Sequence, residues 1–146
     1  MDQYNIDQLT KELVSAKIKQ LPDPCVAAAA LVKETLRVAF KGLEAGSVAD
    51  EGFVEKACQG GMTALLLNDQ NLVKGGVLIL QAAAEVAEEL NLDQMELMKG
   101  ALKGLADIRR FARPDSVHEL QTAIEQRYHG AGEVFADFCR QKAPAA

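Results

Sequence analysis

The chain of 146 residues predicts an all-α fold, a single compact domain of about six helices with a four-helix-bundle-like core. Apolar residues recur at helical spacing along most of the chain, and capping residues mark where the helices begin. The single β-like run, residues 77–80, continues directly into an alanine-rich segment of high helical propensity. The sequence therefore predicts no strand.

Pro, Gly and capping residues give the helix boundaries. The predicted helices run from Asn5 to about Gln20, from Cys25 to about Glu44, from Ser47 or Asp50 to about Leu67, from Asn68 or Asp69 to about Leu90, from Asp93 to about Ala112, and from Ser116 to about Gln141. Three of these starts resemble capping boxes, namely Asn5 with Gln8, Asp93 with Glu96, and Ser116 with Glu119. The connections are short, so consecutive helices are expected to be antiparallel neighbours.

The second to fifth predicted helices are expected to form the core, with the first and last helices flanking it. The second and fourth are apolar nearly all round, which is typical of central helices. Residues 34–43 resemble residues 96–105, and both segments end in Lys-Gly-Leu. An old duplication of a helix pair and a shared composition both explain this likeness.

Composition and charge exclude several classes of protein. The net charge of -5 and the isoelectric point near 5.1 argue against non-specific binding of nucleic acid or anionic lipid. The N-terminus is polar, and the most apolar stretch, residues 75–84, is about half a membrane span. Three scattered cysteines without zinc spacing fit a reducing compartment. We therefore expect a cytoplasmic protein.

Glycines inside predicted helices are the most distinctive feature of the sequence. Each costs about 1 kcal/mol relative to alanine, so something is expected to offset the loss. One interpretation is close helix crossings, for which Gly100-x-x-x-Gly104 has a suitable spacing. The other is an apolar ligand pocket between the third and fourth predicted helices. Its candidate residues are Gly60, Gly61, Gly75 and Gly76.

Charged residues are unevenly distributed around the fifth predicted helix. A basic stretch forms a candidate docking surface for a partner, consisting of Lys99, Lys103, Arg109, Arg110 and Arg113. An acidic stretch precedes it, consisting of Glu85, Glu88, Glu89, Asp93 and Glu96. The helix macrodipole explains part of this order. A charged partner and a head-to-tail contact between two copies are the alternatives.

Candidate catalytic and metal-binding residues are few. His118 and His129 share the polar face of the last predicted helix, and His129 has Glu125 and Glu133 one turn to either side. No Glu-x-x-His motif occurs, so a di-iron bundle is not predicted. No nucleophile motif surrounds any serine. The sequence predicts no catalytic residue, no metal site and no cofactor.

These observations leave three hypotheses of function. The first is a non-enzymatic module for protein–protein interaction or self-assembly, whose partner is another protein or a second copy, with no nucleic acid and no membrane. The second is a carrier or sensor of a small molecule, with an apolar pocket between central helices. The third is a metal-dependent enzyme using a carboxylate or His129.

Overall fold

A computed structural model describes residues 10–12, 23–43, 50–68 and 71–141. Its helices are α1 (Pro24–Phe40), α2 (Glu51–Leu67), α3 (Leu72–Glu89), α4 (Gln94–Ala106), α5 (Pro114–Arg127) and α6 (Ala131–Arg140). A 3₁₀ helix, Asp107–Arg110, extends α4. The described residues contain no strand, which confirms the predicted all-α class. The first predicted helix lies outside the described residues except for residues 10–12, which are helical.

Side-chain caps begin three helices where the sequence predicts them. The Asp23 carboxylate accepts hydrogen bonds from two backbone N–H groups in the first turn of α1. Asp50 does the same for α2, and Asp93 accepts from the Glu96 N–H at the start of α4. Each cap satisfies N–H groups that have no partner inside the helix.

Two predicted helix starts are wrong. Asn71, not Asn68 or Asp69, caps α3, because its side chain accepts the Lys74 N–H at 3.0 Å. Asn68 instead ends α2 and donates its side-chain amide to the Ala64 carbonyl. The helix predicted from Ser116 begins at Pro114, whose fixed φ suits a first turn.

The last predicted helix is also wrong as a single element, because α5 and α6 form a hairpin. The chain reverses at Gly130, whose φ of +92° lies in the left-handed region that favours glycine. The Glu125 carboxylate accepts the N–H groups of Gly130 and Gly132 at 2.9 and 3.0 Å. Glu125 of α5 therefore provides the hydrogen-bond acceptors for N–H groups at the start of α6.

The six helices lie in two layers of three. One layer contains α1, α3 and α5, and the other contains α2, α4 and α6. Consecutive helices form antiparallel hairpins, and each helix also packs on the next helix of its own layer. In helical-repeat proteins, too, helical hairpins stack in the order of the chain, and each hairpin packs mainly against its neighbours.

The neighbours within a layer run parallel. Along α1 and α3, Asp23 pairs with Lys74 at 2.8 Å and Arg37 pairs with Glu89 at 3.0 Å, so residue numbers rise together on both helices. Along α3 and α5, Leu120 contacts Gly76, and further on Arg127 donates to Gln81 at 2.7 Å. The α1–α2 and α3–α4 hairpins correspond to the predicted four-helix core.

Two glycines allow α4 to approach the backbone of α2 closely. A Cβ at Gly100 would lie 3.1 Å from the Glu51 carbonyl oxygen, and a Cβ at Gly104 would collide with the Glu55 carbonyl oxygen. These contacts confirm the close-crossing interpretation of Gly100-x-x-x-Gly104. The same contacts show that α2 and α4 are parallel.

Ion pairs hold the first layer on its solvent face. Lys33 lies 3.0 Å from Glu85 and 3.2 Å from Glu89, and Arg37 also pairs with Glu89. Gln81 donates to Glu85 at 3.1 Å and connects this network to α5. Two residues of the predicted acidic stretch therefore bind cations within the chain.

One hydrophobic cluster joins residues of all six helices. Its fully buried large side chains are Leu36, Met62, Leu65, Ile79, Leu80, Leu97, Leu105, Ile108, Leu120, Ile124 and Phe135. Among the described helices, none has the length and apolar character needed to cross a membrane.

We predict that Gly104→Ala lowers the free energy of unfolding by about 1–3 kcal/mol, because the methyl group would push α4 away from the α2 backbone. Urea denaturation measures this change. Gly52→Ala is the matched control, since Gly52 is an exposed residue in the first turn of α2, where a Cβ would meet the exposed Asp50 side chain at 3.3 Å and no backbone of another helix. An unchanged stability of Gly104→Ala would contradict the close crossing.

We also predict an acid-sensitive contribution from the α1–α3 ion pairs. The Lys33 ammonium, followed by Gln81, lowers the pKa of Glu85 below its ordinary 4.5, and Arg37, followed by Lys33, lowers the pKa of Glu89. The stabilisation is therefore complete above about pH 4.5 and is lost as the pH falls through the lower folded-state values.

The variant Glu85→Gln/Glu89→Gln should show a shallower loss of stability between neutral pH and acid, measured by thermal melts across pH. Glu88→Gln serves as the control, because Glu88 is exposed at the end of the same helix. Identical pH profiles for the double variant and the unmodified chain would show that the network adds nothing.

Candidate functional site

Apolar side chains of other helices lie against three of the four candidate pocket glycines. A Cβ at Gly61 would lie 2.8 Å from Val32 Cγ2, and one at Gly76 would lie 2.7 Å from Leu120 Cδ1. Gly75 contacts the Leu65 side chain in the same way. The space that these glycines leave is therefore used for helix contacts, and a ligand pocket between α2 and α3 stays a prediction.

The five candidate docking residues make different contacts. Lys99 is exposed on the body of α4, and Lys103 lies 3.9 and 3.8 Å from Glu51 and Glu55 of α2. The three arginines lie in and after the 3₁₀ helix that extends α4. There, Arg109 donates to two backbone carbonyls, those of Ala106 and Gln141.

The remaining arginines differ in what they contact. Arg110 pairs with Asp107 at 3.2 Å, and its guanidinium lies 5.6 Å from the centroid of the Phe111 ring. Arg113 is exposed at the residue that precedes α5. Only Arg110 therefore combines an ion pair with an aromatic contact.

A cavity of about 190 Å³ lies next to Arg110, between α2 and the 3₁₀ helix. It is lined by Lys11, Gln59, Gly60, Thr63, Asp107, Arg110 and Phe111. Gly60 and Arg110 thus meet here, although they belong to two separate predicted sets. We refer to this site as the arginine-end cavity.

Asp107 organises the wall of the arginine-end cavity. Its Oδ2 accepts a hydrogen bond from the Gln59 side-chain amide at 2.7 Å, and its Oδ1 pairs with Arg110 Nη2. Both carboxylate oxygens are therefore engaged. This one side chain joins α2 to the 3₁₀ helix and fixes the position of the Arg110 guanidinium.

Two large apolar side chains are exposed in this part of the molecule, and one of them lines the cavity. Phe111 lines it and is 64% exposed, and Leu67 at the end of α2 is 66% exposed. Leu67 follows Thr63 by one helical turn on the same face of α2, and Thr63 lines the cavity. The site therefore combines cations, hydroxyl and amide groups with an apolar rim.

Sequence reasoning missed five residues of this site, namely Lys11, Gln59, Thr63, Asp107 and Phe111. The Asp107–Arg110 spacing of three residues is readable as a helical ion pair. The position of Phe111 between arginines and before Pro114 was a further signal of a helix end. No sequence signal brings Gln59 to Asp107, because they are 48 residues apart on non-consecutive helices.

Among the candidate metal-binding residues, Glu125 and His129 are in contact. His129 Nδ1 lies 3.2 Å from Glu125, whose two oxygens already accept the Gly130 and Gly132 N–H groups. Glu133 lies on α6, after the turn that contains His129, so the two residues do not follow each other on one continuous helix. In the described ranges, no three His, Cys, Asp or Glu residues are grouped as metal ligands.

A second, open cavity of about 530 Å³ lies at the α5–α6 turn. Its lining consists of Gln121, Thr122, Glu125, Gln126, His129, Gly130, Gly132 and Glu133. The lining lacks large apolar side chains, so it offers little to anchor a partner.

The cysteines are free, and burial makes their thiols less acidic. Burial raises the pKa of Cys58 to about 12. Burial and the nearby Asp23 carboxylate raise the pKa of Cys25, whose thiol donates to the Asn71 carbonyl at 3.4 Å. The helix N-terminus therefore does not activate Cys25.

We predict that Cys58 resists alkylation by iodoacetamide at pH 8 in the folded protein, because the raised pKa reduces its thiolate fraction about a thousandfold. A Cys25→Ala/Cys139→Ala variant isolates its reaction, which mass spectrometry can follow. The urea-denatured protein provides the control and should react rapidly. Rapid reaction under native conditions would show that Cys58 is accessible.

No family model, curated protein or solved structure matches the chain.

Proposed function

We propose that the protein is a non-enzymatic module that binds another protein at the arginine-end cavity and its apolar rim. The observation that carries this proposal is the exposure of Phe111 beside Arg110 at the mouth of the cavity. Phenylalanine and arginine are enriched at protein–protein interfaces. Hot-spot residues lie in pockets that a partner closes to water.

The energetics of Phe111 and Leu67 support a docking role. Fully burying such a side chain is worth about 1.5–3 kcal/mol. In the isolated chain this contribution is largely absent, because both side chains are mostly exposed. A partner that covers both residues would gain it, and the cavity that Phe111 lines offers a place for a third anchor.

The stacked hairpins support the same proposal. In helical-repeat proteins, parallel layers of helices create extended surfaces on which partners bind. Here α2 and α4 bring Leu67, Thr63 and the 3₁₀ helix to one end of one layer. The site is therefore built on packed helices, which hold its side chains in position.

A small-molecule carrier is the second candidate, and the same cavity favours it. Its volume of about 190 Å³ is below the roughly 300–1,000 Å³ of pockets for drug-sized ligands, so its own ligand would be small. A second copy of the chain is another candidate occupant of the rim. We also propose an intracellular location, which the three free cysteines support.

We predict that Phe111→Ser abolishes partner binding with little loss of stability, because the side chain is largely exposed. Affinity capture from extracts of the source cells, read by quantitative mass spectrometry, should give proteins whose recovery falls at least about tenfold in this variant. Val38→Ser is the matched control, since Val38 is an exposed apolar residue near the end of α1 and does not line the cavity.

Sedimentation of the purified protein distinguishes the second copy from a different partner. A dimer that Phe111→Ser dissociates would identify the partner as another copy of this chain. Proteins captured equally by Phe111→Ser and the unmodified chain, together with a monomer at high concentration, would contradict the proposed docking site.

A further inference from the structure

The charges that line the arginine-end cavity do not balance. Lys11 and Arg110 contribute two cations, and Asp107 contributes one carboxylate. Both oxygens of Asp107 are already engaged by Gln59 and Arg110. Lys11 has no ion pair within the described residues, so the described part of the cavity lining carries one unneutralised positive charge.

From this imbalance we propose that the cavity binds a single carboxylate, supplied by an acidic side chain of the partner. The inference rests on the proposed function and names the chemistry of the partner: an acidic residue with an apolar neighbour. The acid enters the cavity between Lys11 and Arg110, and the apolar side chain covers Phe111 and Leu67.

The donors of the cavity suit a carboxylate. A guanidinium has five N–H groups, and Asp107 engages Arg110 through one nitrogen, so further donors remain for a ligand. The Lys11 ammonium and the Thr63 hydroxyl also line the cavity. Hydrogen bonds from cations to a carboxylate are about twice as strong as neutral ones.

The size and charge of the cavity select against other anions. A volume of about 190 Å³ corresponds to roughly six water molecules at about 30 Å³ each, which accommodates the end of an acidic side chain. A phosphate dianion would exceed the one available positive charge and would lie close to Asp107. A monoanion neutralises the site without such repulsion.

The test uses the full chain and two short peptides, acetyl-Leu-Glu-Leu-amide and acetyl-Leu-Gln-Leu-amide, followed by ¹H–¹⁵N NMR titration. The glutamate peptide should shift the amide signals of Gly60, Thr63 and Phe111 in a saturable way. The glutamine peptide has the same shape without the charge and should bind about tenfold more weakly.

Single substitutions test whether Lys11 and Arg110 bind the carboxylate of the glutamate peptide. Lys11→Gln and Arg110→Gln should each weaken the glutamate peptide about fivefold to tenfold, whereas Lys99→Gln, an exposed lysine of α4, should not. Lys11→Gln also leaves the Gln59–Asp107 hydrogen bond intact. Its effect therefore reports on charge, even if Arg110→Gln disturbs the 3₁₀ helix.

Three results would overturn the inference. They are equal binding of both peptides at this site, no shifts up to about 10 mM peptide, and tighter binding of inorganic phosphate than of the glutamate peptide. Equal binding that Phe111→Ser removes would leave the docking function standing and refute the carboxylate alone. Loss of partner capture in Phe111→Ser is measured separately, so the two proposals fail independently.

Discussion

The close approach of α4 to the α2 backbone is the constraint on which the rest of the structure depends. Gly100 and Gly104 lie against the carbonyl groups of Glu51 and Glu55, so the two helices can align in parallel with their backbones in close approach at these positions. This alignment carries the end of α4 to the last turns of α2. Asp107 consequently reaches Gln59, and the arginine-end cavity forms between the two elements.

The two layers differ in the balance of contacts that hold them. Backbone contact at glycines joins α2 to α4, with Lys103 lying near Glu51 and Glu55, whereas a network of closer ion pairs and hydrogen bonds joins α1, α3 and α5 across their solvent face. The first layer therefore uses its charged groups within the chain. At the arginine end of the second layer, Phe111 and Leu67 stay exposed and Lys11 keeps its charge unneutralised within the described residues.

Most helices were predictable because their signals are local. Asp23, Asp50 and Asp93 cap helices by bonding to N–H groups within three residues, so sequence spacing is sufficient to find them. The α5–α6 turn was missed because its N–H groups are satisfied by Glu125 from the preceding helix, and Gly130 alone gave too weak a signal. The pairing of α1 with α3 and of α2 with α4 is non-local, and no helical period encodes it. Gly60 and Arg110 were therefore singled out separately, whereas their meeting in one cavity needed the structure.

Nuclear Overhauser effects between α2 and α4 test the parallel close crossing most directly. The account predicts cross-peaks from the Gly100 Hα protons to the Val54 methyl groups and from the Gly104 Hα protons to the Cys58 Hβ protons. These pairs follow from residue numbers that rise together along both helices. Cross-peaks in the reverse order, Gly100 to Cys58 and Gly104 to Val54, or none between the helices, would contradict the arrangement that builds the cavity.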